Sequence, residues 1–206
     1  PLAYLIGEKG FWKNSFIVTP DVLVPRPETE TLVDAILNEN LQGKTLLELG
    51  TGSGAISISI AQENKDCLIF ATDISIKSIL VAKQNAEKFC SENIIFLNHD
   101  WNREWLFPQV DYLISNPPYV NKEATTGKEE GIWHEPEKAL FSKDKGLSDL
   151  KLILTKGKNF LNENGKVYLE HAPDQYEELN KFAMEKGYPN FSNLNDLNGD
   201  KRVSIY

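Results

Sequence analysis

The chain has 206 residues, 41% of them hydrophobic and 25% charged, which is enough apolar material for one continuous core and excludes wholesale disorder. Its net charge of −8 and pI near 5.0 create no field that would draw it to a polyanion, although a local basic patch is compatible with an acidic total, so nucleic acid is not an expected partner. No apolar run approaches about 18 residues and no basic-then-apolar leader opens the chain, so no membrane span or secretory signal is visible and a cytoplasmic location is expected.

In chain order, Phe11-Trp12 and Ser15-Phe16-Ile17-Val18, separated by Lys13-Asn14, predict a β-hairpin. Pro20, Pro25 and Pro27 then punctuate a stretch that leads into a helix from about Glu28 to Leu37. From Thr45 the patterns alternate: a strand at Thr45–Leu49, a glycine turn, a helix at Ala55–Gln62, a strand at Cys67–Thr72 and a helix at Ser75–Phe89. Strands at Ile94–Leu97 and Val110–Ile114 follow. After a long irregular segment come a helix at Leu147–Phe160, a strand at Lys166–Leu169, a helix at Gln175–Lys186, and strand-like ends at Phe191–Leu194 and Val203–Tyr206. Such alternation predicts an α/β, Rossmann-like fold: a mostly parallel twisted sheet with helices on both faces, preceded by the hairpin. Residues 1–40 form an N-terminal segment with hairpin and helix, and 41–206 carry the sheet. The chain opens at Pro1 without methionine, which suggests a fragment or a processed chain. Cys67 and Cys90 lack metal-like spacing and read as a reduced pair.

The chemistry-bearing residues fall at successive strand ends, where open α/β sheets bind ligands. Gly50, Thr51, Gly52, Ser53 and Gly54 follow the first strand of the sheet and open a helix, so their backbone N–H groups can approach a nucleotide-like cofactor. Asp73 ends the next strand, 23 residues after Gly50, near the spacing of a carboxylate that holds ribose hydroxyls. It can also cap the following helix. Asp100 and Trp101 follow the third strand and can receive an adenine amine and cover the ring, or make a capped turn around a half-buried tryptophan. The glycine spacing is neither the dinucleotide fingerprint nor the lysine-containing phosphate loop, so a cofactor with adenosine and no pyrophosphate fits: S-adenosyl-L-methionine, leaving as S-adenosyl-L-homocysteine.

The fourth strand ends in Asn116-Pro117-Pro118-Tyr119. Two prolines cannot continue a ladder. The Asn116 side-chain oxygen and the Pro117 carbonyl can both accept from one NH2 group, and Tyr119 can stack on a flat substrate; the plainer reading is a Pro-Pro turn. His99, His134 and His171 are scattered without ligand spacing, and no catalytic histidine or metal is expected.

Together, Glu48 to Ile56, Asp73, Asp100-Trp101 and Ser115 to Tyr119 resemble the release-factor glutamine methyltransferases, the PrmC/HemK family. The resemblance continues in Pro1 to Gly7, the Phe11-Trp12 hairpin, Pro25-Arg26-Pro27-Glu28-Thr29-Glu30, Glu135-Pro136 with Ala139-Leu140, and Asp200 to Val203. It implies a class I S-adenosylmethionine-dependent methyltransferase fold and methylation of the side-chain amide of the glutamine in the Gly-Gly-Gln tripeptide of peptide chain release factors. Gly50 to Gly54 would lie along the methionine part of the cofactor, Asp73 at the ribose, Trp101 at the adenine, and Asn116, Pro117, Pro118 and Tyr119 at the glutamine. Family members carry a helical N-terminal domain, so this chain resembles the catalytic domain alone, and a monomer is expected. One departure is Ala172, where the family usually has glycine. Asn-Pro-Pro-Tyr also occurs in methyltransferases acting on adenine in DNA, which keeps an adenine amino-methyltransferase open beside a noncatalytic cofactor-binding module.

The 27 residues from Val120 to Gly146 are too long for an ordinary connection and begin at the expected site. They read either as a substrate-binding lid or as a solvated, disordered loop, with Trp133 and Glu135-Pro136 favouring order in the second half.

Overall fold

A computed structural model describes residues 1–123 and 134–206. A short helix α1 (Leu2–Ile6) precedes the hairpin of β1 (Glu8–Phe11) and β2 (Asn14–Ile17), and a 3-10 turn at Pro27–Thr29 opens α2 (Glu30–Leu37). The alternating part follows as β3 (Thr45–Leu49), α3 (Ala55–Glu63), β4 (Leu68–Asp73), α4 (Ile76–Lys88), β5 (Ile94–Asn98) and β6 (Val110–Ser115). Then come β7 (Val120–Asn121), α5 (Glu137–Leu140), β8 (Phe141–Ser142), α6 (Ser148–Gly157), β9 (Leu161–Glu170), α7 (Tyr176–Glu185), β10 (Ser192–Asn195) and β11 (Lys201–Ile205).

Among the described residues seven strands form the main sheet, in the order β10-β11-β9-β6-β3-β4-β5. The pairs β6–β9, β6–β3, β3–β4 and β4–β5 are parallel, while β9–β11 and β11–β10 are antiparallel. The chain builds outward from β3 through β4 to β5, then returns to the other flank of β3 with β6. That reversal opens a crevice beyond the carboxyl ends of β3 and β6, where the glycine turn and Asn116 lie.

Two apolar layers cover the sheet, and the period-two pleat assigns residues between them. Leu46 faces the layer of α2, α3 and the hairpin, with Phe11, Phe16, Ile36 and Ile58, whereas Leu47 and Leu49 face that of α6 and α7, with Leu150, Leu154 and Leu179. Helix α3 is buried at every position from Ala55 to Ala61 because it packs on the sheet with α2 and α4 beside it, so its composition reads apolar all round apart from Ser57 and Ser59. Among the described residues no helix is long and apolar enough to cross a membrane.

The structure corrects several local readings. The hairpin turns at Trp12-Lys13, one position earlier than expected, since Trp12 adopts φ 53° and gives its N–H to Glu30 Oε1 at 2.8 Å. Helix α1 escaped notice because five residues show no helical period; Gly7, at φ 82°, ends it. Strand β9 begins at Leu161 and not at Lys166, because Asn162 to Gly165 extend the strand through a register shift against β6. The helix expected at Leu147–Phe160 ends at Gly157 and tightens into a 3-10 turn, Lys158–Phe160. Within the long segment, β7 pairs with β8 in parallel and α5 precedes β8. Glu135 is buried; Trp133 and much of the expected polar first half lie outside the described residues.

Candidate active site

Three neighbouring elements hold the glycine turn. Gly50 and Thr51 donate their N–H groups to Thr72 O at 2.9 and 2.8 Å, which ties the turn to β4. Asn85 on α4 donates through Nδ2 to Ser53 O (2.8 Å) and Ile17 O (3.0 Å), while its Oδ1 accepts from Ile17 N (2.8 Å). One buried amide thus joins the hairpin to the turn. Gly54, at φ 83°, brings the start of α3 so close to α4 that a Cβ there would lie 3.2 Å from that of Ala82.

Beneath the turn sits Glu48, whose Oε2 accepts from Thr51 Oγ1 at 2.7 Å and from Ser57 Oγ. Burial pushes its carboxyl up to about 7, against the pull of the Ser57 and Thr51 hydroxyls and with help from the charge on Asp73. Asp73 accepts from Gly52 N through Oδ2 (2.9 Å) and from Ser75 N through Oδ1 (2.8 Å). The cap of α4 is Ser75, whose hydroxyl accepts from Ser78 N, so that task does not fall to Asp73. Burial raises the Asp73 pKa against those two backbone bonds.

Trp101 stands beside Gly50, where a Cβ would come within 3.3 Å of the indole, and its Nε1 donates to Asp149 Oδ1 at 3.0 Å. Asp149, in the first turn of α6, also takes the Ser142 hydroxyl at 2.5 Å, so the acceptor of the indole N–H is itself held in place. Asp100 turns to Asn102 instead, accepting from its backbone N and its Nδ2 at 2.9 Å each, and the backbone bond holds its carboxyl below the usual range despite partial burial.

At the end of β6, Asn116 donates through Nδ2 to Thr29 Oγ1 at 3.1 Å. Pro117 and Pro118 are buried. Tyr119 sends its hydroxyl to Glu170 Oε1 at 3.0 Å, and its carbonyl accepts from Gln175 Nε2 at 3.0 Å. Ala172 keeps a negative φ and gives its N–H to Gln175 Oε1 at 2.9 Å, so the position needs no glycine.

A cavity of about 650 Å³ lies over these strand ends. Of the residues expected from sequence, Gly50, Gly52, Asp73, Trp101, Asn116 and Pro118 border it. Thr51, Ser53, Gly54, Asp100, Pro117 and Tyr119 are not in its wall; the Tyr119 ring packs against the α6 layer, away from the position of a stacking platform. Two further walls, Pro20–Leu23 and Pro136–Ala139, were not anticipated. Glu135 ties them together by pairing with Arg26 and accepting from Val24 N at 3.0 Å. Thr29, Glu48, Asp149 and Glu170 were likewise missed as contributors; for Thr29 and Glu135 the available signal was their place in the Pro-Arg-Pro-Glu-Thr-Glu and Glu-Pro motifs.

Comparison with known proteins is consistent along the chain. The profile of the family described as Methyltransferase small domain matches residues 27–195. The release factor glutamine methyltransferase of Coxiella burnetii is 37% identical over 209 residues, covering 100% of this chain and 74% of that protein. That of Escherichia coli is 33% identical over 206 residues with the same two coverages. Among solved structures, a methyltransferase from Pyrococcus furiosus superposes with a TM-score of 0.67 at 21% identity, over 92% of this chain and 86% of its own, a likeness of fold.

Proposed function

Because this chain belongs to the release factor glutamine methyltransferase family, we propose that it transfers a methyl group from S-adenosylmethionine to the side-chain amide nitrogen of the glutamine in the Gly-Gly-Gln motif of peptide chain release factors. The observation that carries this reading is Asn116 at the cavity wall. Its NH2 is tied back to Thr29, which leaves Oδ1 as the group offered to a substrate. A substrate amide brings two N–H donors and needs acceptors, so this orientation matches it.

The cavity residues suit the cofactor. Gly50 and Gly52 present backbone without side chains, and each Asp73 oxygen, having accepted one backbone N–H, retains a lone pair for a ribose hydroxyl. Trp101, locked by Asp149, supplies an aromatic face for the adenine. When bound, the cofactor supplies a methyl group already activated by its sulfonium. An amide nitrogen is a poor nucleophile because its lone pair is delocalised, so the protein's contribution is orientation. Asn116 Oδ1 at the wall and, by the family resemblance, the carbonyl of the adjacent Pro117, which lies outside that wall, take the two N–H hydrogens, turn the lone pair toward the methyl, and stabilise positive charge as it develops on nitrogen.

Asp73→Ala is expected to weaken S-adenosylmethionine binding by about 1–3 kcal/mol, since the ribose hydroxyls lose an acceptor and the Gly52 N–H is released with them. Calorimetric titration of the folded variant reads this directly, and parental affinity would remove Asp73 from the ribose site. The test of the function itself is transfer of label from methyl-labelled S-adenosylmethionine to a purified release factor, beside the same factor with the tripeptide glutamine replaced by alanine. Label on the natural factor alone supports the reading. Label that persists on the altered factor, or that goes to DNA or RNA offered in competition, overturns it.

A further inference from the structure

The side chain of asparagine is nearly symmetric in shape, so a half-turn of the amide exchanges oxygen and nitrogen at little steric cost. Flipped in this way, Asn116 would meet a substrate NH2 with an NH2 of its own. What sets its orientation is therefore part of the catalytic problem. Resting on the glutamine-methylation reading above, we propose that Thr29 and Glu170 are positioning residues that hold the Asn116 amide with its oxygen toward the substrate, and that they do so only while Glu170 is ionised.

The Thr29 hydroxyl accepts from Asn116 Nδ2 at 3.1 Å. A hydroxyl also carries one hydrogen, and if that hydrogen turned toward Asn116, the flipped amide would be just as well satisfied. Something must claim it. Glu170, at the end of β9, is fully buried, and the neighbouring Thr29 hydroxyl lowers its pKa against the effect of burial. Oε1 is already engaged by Tyr119 OH at 3.0 Å, whereas Oε2 has no hydrogen-bond partner among the described residues. An ionised carboxylate is acceptor-only, so it compels both neighbouring hydroxyls to point their hydrogens at it. Thr29 is then left with lone pairs for Asn116, and the amide is set. A protonated Glu170 has a hydrogen to give to Thr29, which frees the Thr29 hydrogen for Asn116 Oδ1 and admits the flipped amide.

The groups around Glu170 place this change near neutrality. Burial pushes its carboxyl up to about 7, opposed by the Thr29 and Tyr119 hydroxyls and by the charge of Arg202 on β11, and reinforced by Glu28 in the turn before α2. Tyr119, following β6, is itself raised by burial and by Glu170, so it remains a donor. His171 is held between Ala172 O at 2.8 Å and Ser204 Oγ at 2.7 Å, and burial lowers its pKa and keeps it neutral. Ionised Glu170 predominates above about 7, so methyl transfer falls as pH drops through that value.

The experiment measures kcat, KM for the release factor and cofactor affinity from pH 5.5 to 9. Thr29→Val should lower kcat about tenfold at pH 8 with cofactor affinity and KM changed little, and Thr29→Ser should restore it. Tyr119→Phe removes a donor to the carboxylate and should move the acid limb of kcat to higher pH, a displacement that loss of packing alone does not produce. Parental kcat in Thr29→Val, or a parental acid limb in Tyr119→Phe, overturns the proposal. The Asn116 NH2 resonances, followed by nitrogen-resolved NMR without substrate, should titrate with the same midpoint and shift in Thr29→Val. If the parent methylates no release factor, the functional reading fails, and this titration still decides the relay; silent resonances would overturn it.

Discussion

Asn116→Ala is expected to lower turnover by about 100-fold or more, with S-adenosylmethionine affinity changed only a few-fold. The side chain removed is one of two acceptors proposed for the reacting amide, and its loss is felt most where the N–H groups grow acidic, at the transition state. Among the described residues the Asn116 side chain gives up one hydrogen bond, to Thr29, at a half-buried position. Single-turnover rates together with calorimetric cofactor binding separate the two effects. Near-parental turnover would reduce the Asn-Pro-Pro-Tyr segment to a turn.

Gly146→Ala should be nearly as damaging although it bears no functional group. Gly146 closes the long segment at φ 89°, and a Cβ there would overlap the Tyr119 carbonyl and lie 2.6 Å from Gln175 Nε2, the atom that binds that carbonyl. Neither neighbour can step aside without breaking the bond that seats Tyr119, and backbone cannot yield as a flexible side chain can. The expected cost is about 2–4 kcal/mol of stability in urea denaturation, with turnover lost because the carbonyl belongs to the same four-residue segment as Asn116. Gly43→Ala is the control: φ is positive there too, at 68°, but no described residue lies within 4 Å of the added Cβ, so only the local conformational strain of about 1 kcal/mol should appear. Equal losses in the two variants would show that Tyr119 O is not the point of failure.

What could be read from sequence was whatever short-range pattern dictates. Thr45–Leu49 reads as a strand because five residues of β-type character run into a glycine turn, and the structure gives those bounds. Gly50, Asp73 and Asn116 were legible for the same reason: each is the first residue after, or the last residue of, a recognisable strand. The supports of the site were not legible, because each is defined by a partner far along the chain. Asn116 and Thr29 are 87 residues apart, Trp101 and Asp149 48, and Arg26 and Glu135 109. No periodicity encodes such a meeting. Nothing local in the sequence marks Glu48 and Glu170 as buried, since a carboxylate at a strand's inner face differs from a solvated one only in what packs upon it.

The Asn85 amide gives the hairpin a kinetic meaning. By bonding both backbone groups of Ile17 and the carbonyl of Ser53, it makes a two-stranded ribbon, which alone would fray readily in water, share its opening with the glycine turn. Amide hydrogens of β2 should therefore exchange with solvent in step with those of Gly52 to Gly54, and a ligand that closes the turn should slow both by the same factor. A protease that clips the ribbon would then act as a reporter of cofactor occupancy, from a position that touches no cofactor.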